Sequence, residues 1–343
     1  MWLTGAVARQ LPALDGTRIA AAVHVDVKTA VYLETLADAG ADIAVVPANP
    51  ETTRSDVAEF LSKRMTILSA DTAADEAVDW QPTHTLEMGA DISAAAAARG
   101  HVGIKAAVEV TRTGINRLRD INLPHPVFDL DRVPLKNNIH NRYAVGLSTW
   151  NAFMSRTNLS LHGNVVVVVG YGEVGSGLAS AAKSFGARVL VAEESAERRV
   201  IAEFEGYEVG ALSVLAPHAD VLVTATGHEK VISADVMCRL QDGCFLLNAG
   251  HSSKEIDRDL LGAGEEILPQ VTSHRPFGGD IFLVAGGHIA NLVAGDGDSL
   301  NAFDLTAALM VASVGWATRH GADHTPGIHP LPTEAWQPAI QYY

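Results

Sequence analysis

Apolar runs separated by amphipathic segments recur along most of the chain. Residues 16–25 and 41–50 each read as a strand, and residues 28–40 between them have the apolar spacing of a helix that Gly40 closes. Farther on, the five valines at 165–169 indicate a strand that is buried on both faces. Strands that alternate with helices in this way predict an α/β fold with mostly parallel sheets.

The alternation continues on both sides of the valine strand, so we predict two α/β domains. Residues 1–145 form the predicted first domain and residues 146–298 the predicted second domain, with a cleft between the two. Residues 299–343 comprise a helix that returns to the first domain and a proline-rich tail. A chain of 343 residues is long enough to bury two hydrophobic cores.

A glycine-rich turn follows the valine strand. Gly170, Gly172 and Gly175 have the G-x-G-x-x-G spacing, and a helix begins near Val174. Such a turn lets backbone approach a pyrophosphate, and the helix N-terminus offers N–H groups to the anion. The next strand ends at Glu193, at the spacing expected of the carboxylate that binds the ribose hydroxyls of NAD. The pattern predicts a doubly wound Rossmann domain that binds NAD, because this carboxylate would repel the extra phosphate of NADP.

Charge and composition narrow the classes of partner. The formal net charge of −15 argues against binding to nucleic acid or to an anionic membrane, since both require a basic surface. Cys238 and Cys244 have no metal-type spacing, so we predict no metal site and a reducing, cytoplasmic compartment. The N-terminus has no signal-peptide layout, and no apolar run reaches the ~18 residues that a membrane span needs.

Several separated blocks resemble S-adenosylhomocysteine hydrolases, in the order in which that family has them. The blocks are residues 16–41, PLKNNIHNRYAVG at 134–146, GYGEVGSG at 170–177, NAGHSSKEID at 248–257, GGHIANLVAGDGDS at 286–299 and GIHPLP near residue 327. The resemblance therefore covers nearly the whole chain.

The resemblance implies an unusual use of NAD. The cofactor oxidises the ribose 3′-hydroxyl of a nucleoside, the 4′ proton is removed, the 5′ substituent is eliminated, and the ketone is finally reduced again. A neighbouring carbonyl makes this elimination feasible. The first domain would then be a Rossmann-like substrate domain. The family also implies a homotetramer, or a dimer because the tail is short in this chain.

The resemblance assigns residues to the cofactor. The predicted cofactor-binding residues are Gly170, Gly172, Glu173, Val174, Gly175, Glu193, Asn248, Asn291, Thr111, Thr113 and Thr226. Of these, Asn248 and Asn291 correspond to positions that line the nicotinamide half. Thr111 and Thr113 belong to a threonine run whose middle position is Arg112 here.

Other residues match the catalytic side of the family. Lys136 matches the lysine that assists removal of the 3′-hydroxyl proton, and Asn141 matches the adjacent asparagine. A lysine serves as a base only where burial or neighbouring charges favour its neutral form. His24 matches the histidine at the 5′ leaving group, and His251 matches another substrate-side histidine.

The chain departs from the family at the catalytic carboxylates. His140 replaces the aspartate partner of Lys136, four residues farther on. Met88 takes the position of the catalytic aspartate, and Glu87 and Asp91 are the candidates to replace it.

Further departures concern substrate binding. Val110 replaces a ribose-binding glutamate, with Glu109 as the candidate to take its role. Two base-contacting positions become Asp26 and Lys28, and a histidine near residue 298 becomes Asp298. The substitutions spare the cofactor loop, which indicates a working NAD enzyme with a remodelled substrate pocket.

Three hypotheses follow. The first is a nucleoside dehydratase that removes the 5′-hydroxyl as water and leaves a 4′,5′-alkene. The second is an authentic S-adenosylhomocysteine hydrolase. The third is an NAD-binding regulatory relative without activity, against which the presence of Lys136, His24 and Asn141 argues. A simple hydroxyacid dehydrogenase would instead release reduced cofactor in step with product.

Overall fold

The computed structural model describes residues 1–69, 73–251 and 253–343. The chain forms two compact units, the first made of Met1–Lys136 and Leu300–Tyr343 and the second of Asn137–Ser299. Residues 137–145, which the predicted boundary placed in the first domain, belong to the second unit.

The elements up to Lys136 are α1 (Trp2–Ala8), β1 (Arg18–Val23), α2 (Val27–Asp38), β2 (Asp42–Pro47), α3 (Ser55–Leu61), β3 (Thr66–Ile67), α4 (Ala73–Asp79), β4 (His84–Glu87), α5 (Asp91–Ala98), β5 (Ala106–Glu109), α6 (Arg112–Leu118) and β6 (Pro126–Asp129). After a π-helical segment, Lys136–Ala144, come α7 (Val145–Thr157), β7 (Val165–Val169), α8 (Glu173–Ser184), β8 (Arg188–Ala192), α9 (Ala196–Phe204), β9 (Glu208–Val209), α10 (Leu212–Leu215), β10 (Val221–Thr224), α11 (Ala234–Met237), β11 (Cys244–Asn248), β12 (Glu265–Leu268), β13 (Val271–His274), β14 (Ile281–Val284) and α12 (Ala290–Val293). The chain ends with α13 (Leu300–His320), β15 (Gly327–Pro330) and α14 (Thr333–Trp336).

The first unit is built on a seven-stranded parallel sheet with the order β15-β6-β5-β4-β1-β2-β3. Strands β1, β4, β5 and β6 are buried at almost every position, as expected of parallel strands covered on both faces. Helix α2 begins where the Asp26 carboxylate accepts a hydrogen bond from Thr29 N at 2.9 Å. Beyond its end, Gly40 has a φ of 105°, a conformation that favours glycine.

The second unit contains an eight-stranded sheet with the order β12-β13-β14-β11-β10-β7-β8-β9. Its strands are parallel except for β12 and β13, which pair as an antiparallel hairpin at one edge and join β14 antiparallel. The valine strand β7 lies between β10 and β8, and most of its side chains are fully buried. The predicted doubly wound α/β architecture is therefore confirmed in both units.

Helix α13 lies in the core of the first unit. Residues Leu300–Asp323 are long and apolar enough to cross a membrane by length and composition, and 78% of the most apolar window is buried inside the structure. A helix that is apolar around its whole circumference is also what the centre of a protein core requires. Its residues pack with β1, β4, β5 and α2 in one hydrophobic cluster.

Three features of the structure were not predicted. The segment read as a proline-rich tail contributes β15, which pairs with β6, and α14, which packs on α13. The hairpin of β12 and β13 and the helix α1 also went unrecognised, because each is short and has weak apolar periodicity. The apolar run MTILSA at 65–70 also predicts a strand, but the structure has β3 only at Thr66–Ile67, and Ala70 lies outside the described residues.

Candidate active site

In the second unit, the adjacent strands β7 and β10 continue in opposite directions across the sheet. β7 leads to β8 on one side, whereas β10 leads to β11 on the other. Ligands of doubly wound sheets bind outside the carboxyl ends of two such strands. Gly170 follows β7 and Thr226 closely follows β10, so both predicted cofactor residues lie at this point.

Glycines shape the turn between β7 and α8. Gly170 has a φ of 93°, and a Cβ on it would lie 2.8 Å from the carbonyl oxygen of Ala225. A Cβ on Gly175 would lie 1.9 Å from the carbonyl oxygen of Gly170, so only glycine lets the helix pack this close to the strand. Gly172 is the N-cap of the 12-residue helix α8 and has no side chain to occupy its free N–H groups. This cradle suits a pyrophosphate.

The acidic residue after β8 is held in place by backbone donors. Glu193 accepts hydrogen bonds from Tyr171 N at 2.6 Å and from Ser195 N at 2.7 Å, one on each carboxylate oxygen. An ionised carboxylate has about four acceptor sites, so capacity remains for two ribose hydroxyls. The Tyr171 hydroxyl in turn donates to Glu205 at 2.6 Å, which ties the glycine turn to the end of α9.

Asn248 is fully buried at the end of β11. Its Oδ1 accepts hydrogen bonds from Thr224 Oγ1 at 3.2 Å and from Gly250 N at 2.8 Å, and its Nδ2 donates to the Gly287 carbonyl at 3.1 Å. These bonds join the end of β10 to the segments that follow β11 and β14. Asn248 therefore holds the surroundings of the predicted nicotinamide half in one arrangement.

A polar network in the second unit joins two of the substituted positions. His140 Nδ1 lies 3.5 Å from Asp298 Oδ2, and Asp298 Oδ1 accepts a hydrogen bond from Ser148 Oγ at 2.6 Å. Ser148 Oγ also accepts one from Asn291 Nδ2 at 3.1 Å. Asn291 Oδ1 is buried without a hydrogen-bond partner in the described part of the chain, as expected of an acceptor that faces a ligand.

Glu255 is a functional candidate that the sequence analysis missed. Its carboxylate, fully buried, accepts hydrogen bonds from Thr226 N, Thr226 Oγ1 and Gly227 N at 2.8–2.9 Å. A Cβ on Gly250 would lie 1.8 Å from Glu255 Oε1, so this glycine makes room for the carboxylate. Glu255 lies in the block NAGHSSKEID at 248–257, and its place in a block that resembles the family could have indicated a role at the site. It fixes the loop after β10 at the cofactor position.

In the first unit, three acidic residues lie in a row across the sheet. Glu87, Glu109 and Asp129 end β4, β5 and β6, and each is in register with the next. The point where the chain direction reverses lies between β1 and β4, which His24 and Met88 follow. The carboxyl edge of this sheet therefore gathers many of the predicted catalytic residues, as it does in other doubly wound proteins.

Glu87 is occupied by hydrogen bonds. Its carboxylate accepts bonds from Thr85 Oγ1 at 2.7 Å, from Ile92 N at 2.9 Å and from Ser93 N at 3.1 Å, and another from Ser93 Oγ. Three of these four donors belong to residues in the first turn of α5, where an acid also meets the positive end of the helix. Burial raises the pKa of Glu87, and the hydrogen bonds oppose this effect. The arrangement favours a structural role.

Glu109 is held largely in its protonated form. Its Oε1 accepts hydrogen bonds from Thr111 Oγ1 at 2.6 Å, from Thr111 N at 2.8 Å and from Gly89 N at 3.1 Å. Its Oε2 is buried with no partner among the described residues. Burial and the nearby Glu87 raise the pKa of Glu109 to about 8. A Cβ on Gly114 would lie 2.3 Å from the carboxyl carbon, so glycine is required there.

Both candidates to replace the lost aspartate make other contacts in the structure. Met88 is 8% exposed and packs in the main hydrophobic cluster of the first unit. Asp91 begins α5, and its carboxylate pairs with Arg117, which also donates to the Gly89 carbonyl at 3.2 Å. Glu87 is committed to the start of α5, as described above.

The substituted base-contacting positions form an ion pair with each other. Lys28 Nζ lies 2.7 Å from Asp26 Oδ2, and Lys28 is almost fully buried. The other oxygen of Asp26 caps α2. His24 lies just before them, and its Nδ1 is 2.7 Å from Thr52 Oγ1. A hydroxyl partner fixes the orientation of the imidazole ring.

Lys136 has a carboxylate partner that the sequence analysis did not identify. Its Nζ lies 3.0 Å from Asp131 Oδ1, and both side chains are more than 90% buried. The other oxygen of Asp131 lies 2.9 Å from Arg112 Nη2, at the start of α6. The acid precedes Lys136 by five residues, whereas the family pattern has it four residues after.

Known proteins resemble the chain in both sequence and fold. The NAD-binding domain of S-adenosyl-L-homocysteine hydrolase matches residues 141–297. The chain is 33% identical to S-inosyl-L-homocysteine hydrolase of Methanopyrus kandleri, in an alignment that covers 94% of this chain and 81% of the relative. It is also 33% identical to adenosylhomocysteinase of Thermotoga maritima, covering 94% and 85%. The chain belongs to the S-adenosylhomocysteine hydrolase family.

One solved structure illustrates how widely the fold is shared. A dipicolinate synthase polypeptide from Bacillus halodurans superposes with a TM-score of 0.55 at 16% identity, covering 87% of this chain and 99% of that chain. At this level of identity the likeness concerns the fold alone.

The cofactor of this adenosylhomocysteinase relative is NAD. The residues present fit it: the glycine cradle at Gly170 and Gly175, the anchored carboxylate of Glu193, and the open acceptor on Asn291. Glu173 and Val174 lie in the first turn of α8, beside the cradle. NAD was predicted from these same motifs, and that prediction is confirmed.

The roles of the individual predicted site residues stay predictions. Thr111 caps α6, accepting from Gly114 N at 3.0 Å, and Thr113 lies in the first turn of that helix. Asn141 Nδ2 lies 3.4 Å from Asn137 Oδ1 in the π-helical segment. His251 lies in the loop after β11, next to Ser252, which lies outside the described residues. The predicted oligomer and the cytoplasmic location also stay predictions.

Proposed function

We propose that this adenosylhomocysteinase relative is an NAD-dependent nucleoside dehydratase. In this proposal, a nucleoside with a free 5′-hydroxyl loses that hydroxyl and its 4′ hydrogen as one molecule of water. The product carries a 4′,5′ double bond, and the 3′ carbon ends at the oxidation level at which it started. No net oxidation or reduction takes place.

The packing of Met88 is the observation that carries this proposal. The position at which the family has a catalytic aspartate is filled by an apolar side chain in the core. Glu87 is committed to α5 and Asp91 to Arg117, so neither supplies the missing carboxylate. A site without this acid retains the means for oxidation and elimination but has lost a group that the full cycle, with addition of water, uses.

The chain's own residues then have distinct tasks. NAD⁺, when bound, would accept a hydride from the 3′ carbon and return it to that carbon after the elimination. Lys136, oriented by Asp131, accepts the proton of the 3′-hydroxyl. The carbonyl at C3′ makes the 4′ hydrogen acidic, so its loss as a proton leaves an electron pair that forms the new double bond as the 5′ C–O bond breaks. His24, oriented by Thr52, donates the proton with which the 5′ oxygen leaves as water, and the proton lost from C4′ replaces it. Lys136 returns its proton to the 3′ oxygen when the ketone is reduced.

The second candidate is hydrolysis of S-adenosylhomocysteine or S-inosylhomocysteine. The names of two relatives favour it: an S-inosyl-L-homocysteine hydrolase and an adenosylhomocysteinase are each 33% identical to this chain, in alignments that span 94% of it. It is also favoured by Asp131, because Lys136 keeps a buried carboxylate partner despite the change at His140. In this case water adds across the double bond before the 3′-hydroxyl is restored.

Mass spectrometry of the products separates the two candidates. The NAD-loaded protein is incubated with adenosine, with inosine, and with their homocysteine thioethers. We expect a nucleoside product that is lighter by one water and no release of homocysteine. Release of homocysteine with no dehydrated nucleoside would establish the hydrolase instead.

Two variants serve as controls. Met88→Leu preserves the apolar packing and is expected to keep the parent's product pattern. Lys136→Met removes the proposed base and is expected to lower formation of either product by about 100-fold or more, in the range of acid–base catalysis. Product formation at the parent's rate in Lys136→Met would show that Lys136 is not the base.

A further inference from the structure

Asp131 is a buried carboxylate that contacts two cations. Its side chain is 2% exposed, and its two oxygens face Lys136 Nζ at 3.0 Å and Arg112 Nη2 at 2.9 Å. Lys136 is buried as well, whereas the Arg112 side chain is 41% exposed. The three residues come from three places in the chain: the start of α6, the loop after β6, and the start of the π-helical segment.

The two cations differ in what they can do with a proton. A guanidinium keeps its proton at every pH that a protein tolerates, whereas an ammonium gives one up when its surroundings favour the neutral amine. If Lys136 lost its proton and Asp131 had no other partner, the buried carboxylate of Asp131 would be left without a balancing charge, which is energetically costly. With Arg112 in contact, Asp131 remains paired when Lys136 is neutral.

We propose that Asp131 and Arg112 are positioning residues for Lys136: Asp131 orients the amine, and Arg112 balances Asp131 so that Lys136 can act as a neutral base. The inference rests on the proposed function, in which Lys136 accepts the 3′-hydroxyl proton. It also explains how Lys136 tolerates His140 at the position where the family has its aspartate.

Other charged groups belong to the same neighbourhood and enter the balance. Asp129 ends β6, and its carboxylate lies 3.3 Å from Arg132 Nε. Burial raises the pKa of Asp129, while the Arg132 backbone N–H and the positive charge of Arg112 oppose this effect. Asp131 raises it further. The charge of Arg112 therefore acts on Asp129 as well as on Asp131, and removing Arg112 is expected to raise the pKa of Asp129 further.

The test measures the protonation of Lys136 directly. Carbon-13 NMR of the lysine Cε is followed as a function of pH, and the Lys136 signal is assigned by its loss in Lys136→Met. In Arg112→Thr, we expect the titration midpoint of Lys136 to move up by about one pH unit, because Asp131 then stabilises the ammonium alone. In Asp131→Asn, we expect it to move down by a similar amount.

The double variant R112T/D131N and a matched control complete the experiment. With both partners removed, the midpoint is expected to lie between those of the single variants, since each removes an opposite influence. Arg119→Thr removes an exposed arginine from the C-terminal end of α6 and is expected to leave the midpoint unchanged. An unchanged midpoint in Arg112→Thr, with a normal thermal transition, would overturn the proposal.

A kinetic readout links the titration to the reaction. In Arg112→Thr, the acidic limb of the pH profile of kcat/KM is expected to shift upward with the NMR midpoint. If no nucleoside reacts in the parent protein, the proposed function fails, while the NMR comparison still decides whether Arg112 and Asp131 control Lys136. The two failures are therefore distinguishable.

Discussion

The carboxyl edges of the two sheets are built from different parts of the polypeptide. At the edge of the second unit, backbone geometry defines the cofactor site. Gly170 and Gly175 let neighbouring backbone segments pack closer together than any Cβ would permit. At the edge of the first unit, side-chain carboxylates define the site, and Glu87, Glu109 and Asp129 lie in register across neighbouring strands. A site made by glycine backbone tolerates few substitutions. In a site made by side-chain carboxylates, one acid can take over the role of another.

Asp131 and Met88 illustrate such an exchange. The carboxylate that pairs with Lys136 comes from the loop after β6, and the position of a catalytic acid is occupied by a thioether in the core. A substrate site can therefore be remodelled while the cofactor site is preserved. The predictions that follow probe this difference, from the largest expected effect to the smallest.

Gly175→Ala tests whether the backbone cradle is as restrictive as its geometry indicates. The new Cβ would lie 1.9 Å from the Gly170 carbonyl oxygen, so we expect the second unit to lose about 4 kcal/mol of stability. Hydrogen exchange of the cofactor-free protein in urea, resolved by unit, measures the loss. Gly172→Ala is the matched control, because its Cβ meets only the Arg198 guanidinium, at 3.7 Å from Nη1.

The control also carries its own expectation. Gly172→Ala should leave the unfolding of the cofactor-free protein unchanged but weaken NAD binding, since the backbone approaches the pyrophosphate there. Equal stability of Gly175→Ala and the parent would show that the helix can move away from the strand at little cost.

Glu109→Gln tests the cost of the buried acid in the first unit. With a pKa of about 8 in the folded state against an ordinary value of 4.5, this carboxyl destabilises the fold progressively as pH rises from 4.5 to 8. Glutamine does not titrate. The free energy of unfolding of the variant, relative to that of the parent, should therefore rise by about 3 kcal/mol from pH 5 to pH 8, measured by urea unfolding. A gap that stays constant with pH would contradict the prediction.

His84→Gln tests the acid side of the same unit. Burial, and to a lesser extent the charge of Lys105, lowers the pKa of His84 to about 4 from 6.5. The stability it contributes is complete above pH 6.5 and is lost as pH falls toward 4, because the unfolded chain takes up the proton first.

As pH falls from 7 to 5, we expect the free energy of unfolding of His84→Gln to decrease by about 2 kcal/mol less than that of the parent. The matched control is the same substitution at the exposed His218, His218→Gln. Parallel curves for the parent and His84→Gln would contradict the prediction, because they would show that His84 binds its proton equally well in the folded and unfolded chain.

The cofactor site was largely predictable because its signals are local. A buried valine strand, three glycines and Glu193 lie within one βαβ stretch of chain, and their spacing reflects backbone geometry. The helix α13 was also predicted to return to the first unit, and it packs there. By contrast, β15 was read as tail, because four residues that include a proline and a glycine carry little periodicity.

The first unit's site resisted prediction for a physical reason. Glu87 and Asp91 are both candidates to replace an aspartate, and only the tertiary structure shows that Glu87 binds the start of α5 and that Asp91 contacts Arg117. Likewise, the pairing of Asp131 with Arg112 was not predicted. The two residues are 19 positions apart, and no local spacing indicates that their side chains are 2.9 Å apart in the fold.

By itself, the sequence determined the family, the α/β class, the NAD site and the positions where the chain departs from its relatives. These depend on local spacing, which the backbone translates directly into turns, strands and helix ends. Only the tertiary structure decided which acids are occupied, which is neutral, and which one Lys136 contacts. Burial and charge pairing arise where distant segments meet, and they determine the protonation on which the chemistry depends.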